Sequence, residues 1–241
     1  MDKDKLLEVK DLSISFAGIK AVQDLDFHID RGEVLALIGP NGSGKSTTVN
    51  MISGVYTPDR GHMVFNGHEL NNRQTIAQRA HFGMGRTFQT PKPFGNLTVY
   101  DNIFTIALQG RTFKQAAEKT DEVLELSKLA PLKNMSSSKL SIEKRKWMDL
   151  ARVMVTDPKL IMMDEVMAGL NPAEMEESLE LIREINRRGI SVLFIEHVMK
   201  AVVSVCTRAI VLNHGRLLYE GEPNEVLSNP LVIEAYIGGD K

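Results

Sequence analysis

The sequence predicts an α/β fold: a mainly parallel sheet with an antiparallel β patch beside it and an inserted block of helices. Three observations carry that expectation. Apolar runs at Glu33 to Ile38, Leu160-Ile161-Met162-Met163 and Ile190 to Ile195 have the length of buried strands, and each stops at a glycine or a charged residue. The stretch Gly39-Pro40-Asn41-Gly42-Ser43-Gly44-Lys45-Ser46 lies between the first of these runs and a helix-like segment, Ser46 to Ser53, closed by Gly54. Between about 92 and 156 the pattern is helical, and Trp147, Leu150, Ala151 and Met154 recur at i, i+3, i+4 and i+7 as a core-packing stripe.

The remaining elements follow in order. Residues near 6 to 30 alternate in a strand-like way, as do 62 to 67, which suggests the antiparallel patch. Ser136-Ser137-Ser138 reads as a flexible connector, and Ala209 to Asn213 and Arg216 to Tyr219 flank His214-Gly215 as a hairpin. There is no internal repeat. We therefore expect one domain over 1–241, with about 1–90 and 157–241 forming the core and its antiparallel β part, and about 91–156 forming a helical subdomain.

Composition narrows the function. A length of 241 residues with 43% hydrophobic content suffices for one large core, and a formal charge of −2 lacks the basic excess of a nucleic-acid-binding domain. The charged start Met1-Asp2-Lys3-Asp4-Lys5 leads into Leu6-Leu7-Glu8-Val9 without the apolar region of a signal peptide, so export by that route is not expected. No apolar run approaches the roughly 18 residues needed to span a bilayer, so any membrane role is expected to be peripheral. The lone Cys206 reads as a buried structural thiol.

The glycine-rich stretch fits the phosphate-binding pattern G-x-x-x-x-G-K-[ST]. Its backbone N–H groups, over Gly39 to Thr47, would surround phosphates, Lys45 would reach the β/γ-phosphates and Ser46 would hold Mg²⁺. The pattern arises by chance in on the order of one per cent of chains this long, and the strand-loop-helix setting lowers that further. In open α/β sheets ligands sit at the carboxyl ends of parallel strands, so Gly39, Asp164 and His197 are expected at one edge. For any one strand alone, the ordinary reading is a first solvated residue. Together they assign Asp164 to the Mg²⁺ site, Glu165 to orienting and deprotonating a water, and His197 to the γ-phosphate. The adjacent Asp-Glu pair favours a hydrolase over a small-molecule kinase.

With these motifs in this order and spacing, the chain resembles an ATP-binding cassette ATPase over almost its whole length. The resemblance implies a RecA-like P-loop NTPase core, with ATP as substrate and Mg²⁺ as cofactor. It implies that Gln89, in Gly85-Arg86-Thr87-Phe88-Gln89, senses Mg²⁺ and γ-phosphate, and that Phe16 stacks on adenine; a core strand aromatic is the other reading of Phe16. Ala168-Gly169-Leu170-Asn171 resembles the loop through which two cassettes touch, with Asn171 for the usual Asp, and Gly221-Glu222-Pro223-Asn224-Glu225-Val226 is a further family habit. The family signature Leu-Ser-Gly-Gly-Gln corresponds to Leu140-Ser141-Ile142-Glu143-Lys144, which has lost both glycines. Ser141 can still cap a helix and offer its hydroxyl, whereas Ile142 and Glu143 put Cβ atoms where backbone approaches a phosphate. Lys139, Lys144, Arg145 and Lys146 around Glu143 leave the stretch at net +3, which could still attract a triphosphate; alternatively Glu143 only stabilises the first helical turn.

The signature acts on the ATP of a partner cassette, so its loss favours a heterodimer with a second ATPase subunit that carries a regular signature; a homodimer would hold two altered sites. Gly85-Arg86-Thr87-Phe88-Gln89, Ala168-Gly169-Leu170-Asn171-Pro172 and Glu234-Ala235-Tyr236-Ile237-Gly238 resemble the cassettes of bacterial branched-chain amino acid importers, although Glu165-Val166-Met167 departs from the commoner Glu-Pro-Ala. That resemblance implies a peripheral subunit on the cytoplasmic face of the membrane, with polytopic permease subunits as partners and an extracytoplasmic solute-binding protein acting indirectly. Import of urea or amides, lipopolysaccharide export, and a nucleotide-dependent clamp or regulatory module outside transport are the alternatives.

Overall fold

The alternation near the start of the chain becomes two long strands, β1 (Lys5–Phe16) and β2 (Ile19–Asp30), paired antiparallel with Leu12 opposite Leu25. They belong to a computed structural model that describes residues 4–71 and 73–237. Met1, Asp2 and Lys3 of the charged start, and Gly238 of the tail pattern, lie outside the described residues. The five consecutive buried residues of β3 (Val34–Ile38) mark a central strand, and α1 (Lys45–Ser53) follows it, ending at Gly54 in the left-handed conformation that favours glycine. β4 (Arg60–Phe65) and β5 (His68–Glu69) add to the antiparallel sheet in the order β2-β1-β4-β5. The expected strand at 62 to 67 is thus displaced towards the N-terminus. Asn66 and Gly67 both have positive φ and form the tight turn between β4 and β5, so extended structure stops at Phe65.

After α2 (Ile76–His81) and β6 (Met84–Arg86) comes the helical block: α3 (Val99–Ala107), α4 (Phe113–Leu126) and α5 (Ile142–Met154). The helical pattern expected from about 92 starts later, at the Thr98 cap. Asn102, fully buried, accepts from the Phe94 N–H at 2.8 Å and donates to the Phe94 carbonyl at 3.2 Å, fixing residues 92–98 as a loop. Ser136-Ser137-Ser138 is not a free connector: Ser137 is buried in a short 3₁₀ turn and donates to the Phe94 carbonyl at 2.9 Å, while Ser136 donates to that of Gly95 at 3.1 Å. The stripe Trp147, Leu150, Ala151, Met154 is buried as expected.

The chain returns to the sheet with β7 (Leu160–Asp164), α6 (Pro172–Arg187), β8 (Ser191–Ile195), α7 (Met199–Val205) and the antiparallel pair β9 (Arg208–Asn213) and β10 (Arg216–Gly221). Two short helices, α8 (Pro223–Ser228) and α9 (Pro230–Ile237), complete the described chain. The second sheet runs β10-β9-β3-β8-β7-β6, parallel except at β10.

Strand side chains alternate between its two faces, and each face has its own core. Ala36, Met163 and Phe194 point to the helices, whereas Leu37, Met162 and Leu193 point to α1 and the antiparallel sheet. The carboxyl ends of β3, β8 and β7 therefore lie side by side, which sets the site. Cys206 is buried and unpaired in a disulfide, and burial raises its thiol far above the ordinary range.

Candidate nucleotide-binding site

β3 ends at Ile38, and the loop from Gly39 to α1 requires glycine at two positions. A Cβ on Gly39 would stand 2.2 Å from the Leu212 carbonyl oxygen, and one on Gly44, whose φ is 106°, would stand 2.8 Å from that of Ala21. Between them Asn41, Gly42 and Ser43 curve over a cavity of about 180 Å³ whose wall also includes Lys45, Ser46, Thr47, Glu165 and His197. The Ser43 hydroxyl is buried without a protein partner. Lys45 folds back along the loop and donates to the carbonyls of Gly39 at 2.8 Å and Pro40 at 2.9 Å. Burial lowers its pKa, and the negative charges of Glu165 and Asp164 oppose that shift.

The three strand-end groups do converge, with Glu165 at the centre. One Glu165 carboxylate oxygen lies 3.1 Å from His197 Nε2, and the other accepts a short hydrogen bond from the Gln89 amide. Glu165 itself has φ 49°, a left-handed conformation uncommon for a residue other than glycine. Asp164 pairs with Arg86 on β6, Nη2 to Oδ2 at 3.4 Å, and Arg86 is held in turn by the Asn50 side chain at 2.6 Å and the Ser53 hydroxyl at 3.1 Å. Burial raises the Asp164 pKa; Arg86 pulls it back down. Ser46, Gln89 and Asp164, the expected metal-site residues, line one further cavity of about 780 Å³ together with Arg86, Phe88 and Arg152.

Two expected residues stand apart. Phe16, at the end of β1, is partly exposed and packs edge-on against Tyr56 at 5.2 Å, so it is not a core aromatic. Ser141 caps α5, its hydroxyl accepting from the Lys144 N–H at 3.3 Å, and it lines none of the cavities around the loop. Around it Ile142 is exposed, whereas Glu143 is buried against Lys144 at 3.3 Å, and Lys144 lies 3.4 Å over the Trp147 ring. The net positive stretch is therefore largely spent inside the chain: Lys144 on Glu143 and Glu177, Arg145 on the Ser138 carbonyl, and Lys146 on carbonyls after β7.

Sequence reasoning missed four site residues. Arg86 lies within Gly85-Arg86-Thr87-Phe88-Gln89, 78 positions from its charge partner Asp164. Lys146 was one cation among several. Glu196 stood at a strand end, where the hydrogen bonds it makes could not be read. Tyr236, on α9, accepts the Gly39 N–H at 2.8 Å across 197 positions of sequence. Glu196 is 1% exposed, accepts the N–H groups of Met167 at 2.8 Å and His197 at 3.3 Å, and is pushed up to about 7 by burial.

A glycine-rich loop entering a helix, with a clamped carboxylate just past the end of β7, the next strand but one in the sheet, defines a phosphate-loop nucleotide-binding domain. Residues 22–168 match the ABC transporter family, and the chain belongs to that family of ATP-binding, ATP-hydrolysing cassettes. Among curated relatives, the probable branched-chain amino acid transport ATP-binding protein LivG of Archaeoglobus fulgidus is 34% identical over 97% of this chain and 96% of its own length. The high-affinity branched-chain amino acid transport ATP-binding protein LivG of Escherichia coli K12 is 36% identical over 97% and 98%. The lipopolysaccharide export system ATP-binding protein LptB of Acidithiobacillus ferridurans is 31% identical over 97% of both. A crystal structure of the ADP conformation of an ABC transporter cassette superposes with TM-score 0.87, at 31% identity over 97% of this chain and 99% of that one. Among the described residues no helix is long and apolar enough to cross a membrane.

Proposed function

We propose that this chain is the ATP-hydrolysing subunit of an ABC importer, coupling ATP binding and hydrolysis to uptake of branched-chain amino acids. The observation that supports hydrolysis best is the Glu165 carboxylate held between Gln89 and His197 at the mouth of the loop. The solute class rests on the two LivG relatives and on the motifs shared with them.

In this reading the loop amides from Gly39 to Thr47 and Lys45 bind the triphosphate, and Phe16 takes the adenine. Glu165 orients a water and accepts its proton, while His197 holds the carboxylate and faces the γ-phosphate. Ser46, Asp164 and Gln89 offer oxygen donors of the kind Mg²⁺ prefers, on one cavity wall, and would hold it there. Bound Mg²⁺ would neutralise charge developing on the phosphate oxygens. Ser141 serves the partner's ATP, so the absent signature glycines weaken the partner site and favour a heterodimer with a second cassette. About 91–156 acts as the helical subdomain against a core of about 1–90 and 157–241. The subunit sits peripherally on the cytoplasmic face, against polytopic permease subunits, and reaches a solute-binding protein only through them.

The test is Glu165→Gln in the assembled transporter. ATP binding should persist while turnover falls by about 100-fold or more; unchanged turnover refutes the assignment. In vesicles, solute-loaded binding protein should stimulate the ATPase with leucine, isoleucine or valine. Stimulation by urea or an amide instead would keep the importer class and replace the solute.

A further inference from the structure

The loop after β7 is an awkward piece of backbone. It leaves the strand through Glu165 in the left-handed region, a conformation that is unfavourable for a residue with a side chain and persists only when its surroundings impose it. Its carbonyls at Glu165, Val166 and Ala168 all face one ammonium group, that of Lys146 on α5, at 3.5, 3.0 and 2.5 Å. An ammonium group has three hydrogens to donate, so this one is fully committed to the loop. The intervening N–H, that of Met167, goes the other way, to Glu196 at 2.8 Å. The second oxygen of Glu196 accepts the His197 N–H at 3.3 Å. One buried carboxylate thus bridges the two loops whose side chains, Glu165 and His197, meet at 3.1 Å.

We propose that Lys146 and Glu196 are positioning residues for hydrolysis: a strut that fixes the backbone of Glu165 from α5 and the backbone of His197 from β8, and so sets the Glu165–His197 geometry. The inference rests on the reading of Glu165 as the residue that orients water. It assigns to α5, whose N-terminus carries the altered signature, a direct mechanical link to this chain's own hydrolytic carboxylate. A shift of α5 moves three carbonyls of the 165–168 loop at once. In the proposed reading nucleotide binding falls to other elements, the Gly39 to Thr47 loop and Phe16 at the end of β1, so the strut should govern turnover and leave affinity alone.

The experiment uses the assembled transporter with three single substitutions at Lys146 and Glu196, and Lys146→Met again in a Glu165→Gln background. Lys146→Met keeps an unbranched side chain one atom shorter and removes every donor. Glu196→Gln keeps one acceptor for Met167 and turns a donor towards the His197 N–H. Each should lower kcat by ~10- to 100-fold, because displacement of a reacting group by about 1 Å costs that much, while the Kd of a fluorescent ATP analogue stays within about twofold. Lys146→Arg, with a planar fork in place of three divergent donors, should recover only part of the rate. In a Glu165→Gln background, Lys146→Met should add little further loss, since both act on one step. An unchanged kcat in Lys146→Met or Glu196→Gln, or a full additional loss in the Glu165→Gln background, overturns the strut. If Lys146→Met fails to fold, Glu196→Gln decides by the same kcat and Kd readout. If Glu165→Gln alone leaves turnover intact, the failure belongs to the hydrolytic reading and not to the strut.

Discussion

Replacing Arg86 by methionine should destabilise the protein more than any other single change on the β6 edge of the site. Arg86 and Asp164 are each 13% exposed and meet at 3.4 Å. At an effective dielectric of ~20 that separation corresponds to about 5 kcal/mol of attraction, most of which offsets the burial of the two charges. Arg86→Met keeps volume but leaves the Asp164 carboxylate buried without its cation, and breaking such a pair costs about 3–5 kcal/mol. The Asn50 side chain and the Ser53 hydroxyl also lose a donor, and Phe88 loses a guanidinium 5.4 Å from its ring. With a denaturant slope of ~2–3 kcal/mol per molar, the urea midpoint should fall by about 1 to 2 M. The control is Arg86→Met combined with Asp164→Asn, which removes both charges and should restore a good part of the loss through a coupling of ~1–3 kcal/mol. A single-variant loss under about 1 kcal/mol, or no relief in the double variant, would show that Arg86 does not hold Asp164 as the structure indicates.

Three further outcomes are expected of the same site. Tyr236→Phe removes only the acceptor of the Gly39 N–H and should weaken ATP binding by about 2- to 10-fold, the equivalent of one hydrogen bond; an unchanged Kd in nucleotide titrations would separate α9 from the loop. Glu196 titrates near 7 in the folded chain against an ordinary value of 4.5, so the native state binds more protons between those values and stability falls as pH rises through them, by on the order of 3 kcal/mol. With Lys146 and Glu165 as its charged neighbours and the backbone N–H groups of Met167 and His197 as its donors, Glu196→Gln should flatten the difference between urea midpoints at about pH 5 and pH 8, and an undiminished slope would place the titration elsewhere. In the assembled transporter, Lys45→Ala should abolish most ATPase activity while Ser141→Ala costs far less; equal losses would mean that the altered signature is fully used and that the heterodimer argument fails.

The sequence by itself determined whatever a short contiguous segment must contain to do its job. The phosphate loop was legible because Gly39 to Ser46 carries its chemistry in eight adjacent residues, and the strands because buried runs such as Leu160 to Met163 admit little else. The hairpin at His214-Gly215 was legible for the same reason, since both residues take positive φ. The convergence of Gly39, Asp164 and His197 followed from the general placement of ligands on parallel sheets.

What only the tertiary structure decided are the pairings between segments far apart in sequence. The Asn66-Gly67 turn moved β4, and the buried serine at 137 turned an apparent linker into a fixed corner by reaching the Phe94 carbonyl. Arg86 finds Asp164 across 78 positions, Lys146 finds three carbonyls about twenty positions on, and Tyr236 finds Gly39 from the last described helix. Polar side chains accept many partners that are close to equal in free energy while the chain is unfolded. Burial removes water as the competing partner, and the layer packing of sheet and helices then leaves each group only the partner that the fold has placed within reach.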